Sequence, residues 1–162
     1  MASRSVGGEP VGTTITGGLM RGTLLCAVTG SAESGDALAL GAELSERLGL
    51  RLVLAHAVDE IEAIDDSDYG ASLMEATFEG TERLARLADE HGVADRAEKR
   101  VAVGEPAALL GRIAAEEAAD VIVVGARARG WRKRLESSLA DELETETPVP
   151  VVIAPPRTRS AE

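Results

Sequence analysis

Aromatic side chains are nearly missing from this chain: Trp131, Tyr69 and Phe78 make up 2% of its 162 residues. A hydrophobic fraction of 44% still suffices for one core, which must then be packed from Leu, Val, Ile and Ala. Cysteine occurs once, at Cys26 within an apolar run. A disulfide framework is excluded, and a reducing, cytoplasmic compartment is the simplest home. No apolar run approaches the roughly 18 residues that a membrane helix requires. The N-terminal residues include arginines but no continuous apolar stretch, so a secretory signal is not expected. Positive charge is the scarcer sign, with 17 Lys and Arg against 28 acids and a net charge of −11. Such a surface repels nucleic acid and anionic membrane, and neither is expected as a partner.

The length reads as one domain. Residues 1–22 are rich in glycine and lack periodicity, which predicts a flexible leader before a domain over 23–156 and a short tail over 157–162. Thr23–Thr29 is a short apolar run feeding a turn, hence a buried strand. Ser34–Leu48 places Ala37, Leu40, Leu44 and Leu48 at helical spacing, with Gly49 as its stop. Leu50–Ala57 is a second strand that ends by His56. From Ala71 to His91 the residues Met74, Phe78, Thr81, Leu84, Ala85 and Ala88 predict one apolar helix face, closed by Gly92. Glu98–Val103 alternates as a strand, and Pro106 opens a helix expected to run to Ala118. Val121–Val124, a short helix through Leu139, Ala140 and Leu143, and Val149–Ala154 complete five strands and four helices. Strict alternation predicts an α/β fold, a five-stranded parallel sheet with helices on both faces and right-handed crossovers. Ligands in such sheets bind beyond the carboxyl ends of the strands, where the strand order switches direction.

Three local features lie at those ends. Residues 59–68 carry six acids and no base, either a solvated loop or a cation site, although the spacing lacks the pattern of a calcium loop. Arg127, Arg129, Arg132, Lys133 and Arg134 form a basic loop uninterrupted by acid, suited to phosphate or to balancing the acids elsewhere. Ser138 and Asp141 have capping-box spacing, and the helix start behind them offers unpaired N–H groups. Glu136 puts a negative charge beside that terminus. His56 reads as a structural histidine, His91 as a helix-end residue, Cys26 as core and Trp131 as an exposed anchor or interface residue. No serine, acid and histidine are spaced to suggest a triad.

In this order the motifs AVTGS (27–31), LAHAVDE (54–60), VAVGEPA (101–107), DVIVVG (120–125) and SSLADELETETPVPVVIAP (137–155) resemble the universal stress protein family. The resemblance spans Leu24–Pro155. It implies strand order 3-2-1-4-5, as in adenine nucleotide alpha hydrolases, frequently a homodimer, and in one branch an ATP site. In that branch the adenosine contacts fall on Ala27, Val28, Thr29 and Ala57. The phosphate contacts fall on Val124, Gly125, Arg127, Ala128, Ser137, Ser138, Leu139 and Ala140. The branch's motif is two glycines three apart, then a glycine–serine pair. Gly125 and Ser138 match it, Ala128 and Ser137 replace the other glycines, and the span is one residue short. Thr29 stands where ATP-binding members place an aspartate.

Two function classes follow: a dimeric stress-response module binding ATP, with Mg, or another adenine nucleotide at a degenerate site, and a universal stress protein acting only through protein–protein contacts. Enzymatic activity would extend at most to slow ATP hydrolysis. The run TGSAES at 29–34 only loosely echoes the phosphate loop of the wider hydrolase group. A phospho-acceptor receiver domain is excluded, since no aspartate ends the first strand. The homodimer is expected through the edge strand Val149–Ala154.

Overall fold

The computed structural model describes residues 22–29, 33–58, 69–126 and 139–157. Nine elements follow in order: β1 (Gly22–Val28), α1 (Glu33–Leu48), β2 (Leu50–Val58), α2 (Tyr69–Glu90), β3 (Ala97–Val103), α3 (Pro106–Glu116), β4 (Val121–Gly125), α4 (Leu139–Glu146) and β5 (Val151–Ala154). The strands form one parallel sheet in the order β3-β2-β1-β4-β5. Side chains alternate across it, as the two-residue period of a strand demands. Leu24, Cys26 and Val28 point to the layer of α1 and α2, while Leu25 and Ala27 point to the layer of α3 and α4. Among the described residues both cores consist of Leu, Val, Ile and Ala with Cys26, and no aromatic side chain enters either.

Helix ends follow local chemistry. Glu105 caps α3 by accepting the Ala108 N–H at 2.8 Å, with Pro106 at the first helical position. At the end of α2, Gly92 takes φ 71°, and Val93 N donates to Ala88 O at 2.9 Å. The expected helix to Ala118 stops instead at Glu116. Ala118 adopts φ 54°, and Ala119 N reaches back to Ala114 O at 2.8 Å, the same closure built without glycine. β5 is shorter than Val149–Ala154. Pro150 has no N–H for the ladder, although its carbonyl accepts from Ile122 N at 2.9 Å.

Two helix faces differ from the expected ones. In α2 the packed stripe is Leu73, Ala76, Thr77, Gly80, Leu84, Leu87 and Ala88, whereas Met74 is 75% and Phe78 63% exposed. The stripe turns on Gly80, because a Cβ there would lie 2.6 Å from the His56 ring; the helix sits too close to the sheet for a side chain. In α1, Ala37, Leu40 and Leu44 pack on the core as expected, joined by Ser34, Leu38, Gly41 and Ser45, and only Leu48 of the expected face is exposed.

The amino-terminal end of the sheet is held by charge. Arg51 bridges Glu98 at 2.8 Å and Glu117 at 3.0 Å, and Arg100 bridges Glu116 at 2.7 Å and also pairs with Glu117. Burial alone would push the Glu117 carboxyl up. Hydrogen bonds from Arg100 and Arg51 outweigh it and hold the group below the usual carboxylate range. Asp120 closes the same end by accepting Thr23 N at 2.9 Å.

Candidate functional site

The crossovers diverge between β1 and β4, so the carboxyl ends of these neighbours border the crevice where parallel sheets bind ligands. Val28 ends β1 and Gly125 ends β4. Ala27, Val28, Val124 and Ala140 are all buried, with exposures between 2% and 6%. Their side chains belong to the two cores, Val28 on one face and the other three on the opposite face. A ligand at this end would therefore meet them through backbone groups. Thr29, Ala57, Gly125 and Leu139 are half-buried and supply the accessible surface. Arg127, Ala128, Ser137 and Ser138 lie outside the described residues, as do the basic loop to Arg134 and the acidic run 59–68.

Thr29 is fastened by a residue that sequence reading placed only as the start of α1. Ser34 Oγ accepts from Thr29 N at 2.7 Å, donates to Thr29 O at 2.7 Å, and lies 3.1 Å from Thr29 Oγ1. The hydroxyl bridges both backbone groups of Thr29, so that amide is committed within the protein. A serine at a helix start signals a cap, but nothing in the spacing shows that it caps the preceding strand.

His56 fixes the neighbouring strand end. Its Nδ1 lies 2.8 Å from the buried Val28 carbonyl, which can only accept, so Nδ1 carries the proton. The ring is 8% exposed and lies beneath Gly80 of α2. This is the structural role expected of it. His91, likewise, lies with Nδ1 3.1 Å from Leu87 O at the end of α2.

At the phosphate side, α4 begins at Leu139, and its first turn carries Asp141 and Glu142. Ser138, the expected capping residue, lies outside the described residues. Among the described residues, no group of three His, Cys, Asp or Glu side chains is placed to hold a metal ion. Burial drives the Cys26 thiol up to about 12, which leaves it protonated and unreactive. No described helix is long and apolar enough to cross a membrane.

No curated protein matches this chain. Among solved structures, UspA from Lactobacillus plantarum is 16% identical, with 84% of this chain and 99% of that chain covered and a TM-score of 0.66. A universal stress protein in complex with cAMP is 22% identical, with coverages of 80% and 95% and a TM-score of 0.63. The universal stress protein from Archaeoglobus fulgidus in complex with dAMP is 20% identical, with coverages of 83% and 98% and a TM-score of 0.57. Identities this low speak to the fold alone. The sequence model of the universal stress protein family matches residues 20–155, a span that takes in every strand and helix described above. With the sheet in its 3-2-1-4-5 order, this chain belongs to the universal stress protein family.

Proposed function

We propose that this protein is a stress-response module that binds an adenine nucleotide, ATP with Mg foremost, at the carboxyl ends of β1 and β4, and that it works as a homodimer paired through β5. The carrying observation is the switch point of the sheet between β1 and β4, whose carboxyl ends, Val28 and Gly125, offer backbone beside buried side chains and a glycine at the strand end. A strand end without a Cβ lets a ligand approach the main chain. The adenosine would rest on Ala27, Val28, Thr29 and Ala57. The phosphates would lie against Gly125, the amides at the start of α4 and Arg127. Support also comes from relatives of the same fold, one solved with cAMP and one with dAMP.

The fit is incomplete at both ends. Ser34 occupies the Thr29 amide, and Asp141 and Glu142 put negative charge in the first turn of α4. Loss of one hydrogen bond to a charged group costs about 1.5–3 kcal/mol, or about one to two decades of affinity. The expected outcome is weakened, measurable binding. Nucleotide at about 100 times its dissociation constant should stabilise the fold by about 2.7 kcal/mol, a rise of several degrees in Tm. Melts with millimolar Mg-ATP and ADP check this. Gly125→Asp, measured against its own nucleotide-free melt, should abolish the shift.

The occupied Thr29 amide favours a second reading, a family member that acts by protein contact alone. That reading prevails if neither nucleotide moves the wild-type melt and the purified protein carries none.

A further inference from the structure

A concavity of about 390 Å³ lies between the first half of α2 and the end of β3, lined by Leu73, Met74, Thr77, Phe78 and Val103. Thr77 Oγ1 donates to Leu73 O at 2.8 Å, so the one hydroxyl in the lining is already engaged by its own helix. Met74 and Phe78 rise on the rim, 75% and 63% exposed. Large apolar groups clustered on a surface mark a place where something docks. Among the described residues the lining offers a nucleotide or a sugar no side-chain polar group beyond the engaged Thr77 hydroxyl, so such a ligand would lose its water there with little replacement.

The rim fixes the sign of the occupant. Glu75 and Glu79 are exposed beside Met74 and Phe78 and form no ion pair among the described residues. In sequence, residues 59–68 carry six acids and are followed by Glu75, Glu79 and Glu82, nine in all, with no Lys, Arg or His between Asp59 and Glu82. A second copy seated on this face would bring the same acids onto these across a two-fold axis. We propose that the α2–β3 groove is a docking surface for a cationic amphipathic peptide segment of another protein. Its apolar side chains seat between Met74, Phe78 and Val103, and its Lys or Arg side chains lie against Glu75 and Glu79. The groove is separate from the β1–β4 crevice and needs no nucleotide.

The test uses the full chain without nucleotide and a fluorescein-labelled peptide of Leu and Lys, with Leu at helical i, i+3, i+4, i+7 spacing. Its counterpart replaces every Lys with Glu. Anisotropy should show saturable binding of the Leu/Lys peptide that weakens with salt, and none of the Leu/Glu peptide. Met74→Ser with Phe78→Ser keeps the net charge and should weaken binding about tenfold or more at an unchanged melting temperature. Glu75→Gln with Glu79→Gln should weaken it and flatten the salt dependence. Equal affinity of the serine double variant would reduce the effect to bulk charge attraction and overturn the proposal. So would absent Leu/Lys binding, or equal binding of the Leu/Glu peptide. A dimer in sedimentation that the serine double variant dissolves would assign the face to a second copy, and overturn it too.

Discussion

Ala118 stands in a left-handed conformation that glycine adopts freely and an L-residue does not, φ 54° at the end of α3. Its methyl group is exposed, so removing it forfeits no packing. Ala118→Gly relieves the backbone cost while adding freedom to the unfolded chain. The net effect should be stabilising by about 0.5–1 kcal/mol, seen as a Tm rise of about 1–3 °C. An unchanged or lowered Tm would mean that Ala118 is unstrained. Single residues also show where sequence reading reaches its limit. His56 was legible as structural from its apolar neighbours, but its bond to Val28 O joins strands whose sequence separation hides their contact. Ser34 was hidden for a different reason, since a hydroxyl that caps a strand looks in sequence like one that caps a helix.

At the scale of elements, alternation of strand and helix patterns sufficed for five strands, four helices and a parallel sheet. Boundaries moved by one or two residues, by two where Ala118 closed a helix without glycine and where Pro150 withheld its N–H. The face of α2 differs from the one that Met74 and Phe78 suggest by their size, because close packing against His56 demands a position without a side chain, which Gly80 supplies. Contact distance, not hydrophobicity, oriented that helix. The β-strand arginines Arg51 and Arg100 were likewise silent in sequence, since their partners Glu116 and Glu117 lie at the end of α3, between 16 and 66 residues further on. Their network makes a prediction about pH. The folded-state pKa of Glu117 is depressed, so its contribution is complete above the ordinary carboxylate value of about 4.3. It is lost as pH falls from there through the folded value. Glu117→Gln should cost about 1.5–3 kcal/mol at pH 7. That deficit should close as the wild type is acidified through this window, because the glutamine does not titrate. Melts at neutral and acid pH compare the two, and a deficit that persists unchanged would count against the assignment.

For the whole molecule, assembly turns on the edge strand β5. It pairs only with β4, leaves its outer edge without a strand among the described residues, and shows Ile153 at 39% exposure. An unpaired apolar edge invites a partner, and antiparallel addition of the same strand from a two-fold copy satisfies both edges. Val151→Lys should convert the proposed dimer to monomer in light scattering; a dimer that survives would place the contact elsewhere. The candidate site divides in the same way as the assembly. The switch in strand order between β1 and β4 was legible from the alternation of strands and helices, but which side chains there are buried was not, because alternation in a fully buried strand carries no polar mark. The central strand holds one further property of the whole. Cys26 is the only thiol in the chain, sits in β1 between β2 and β4, and has no exposed surface. A thiol reagent reaches it only when the sheet parts, so the labelling rate in native buffer is a clock for opening. The molecule thus reports its own fluctuations at a single atom, without heat, denaturant or an engineered probe.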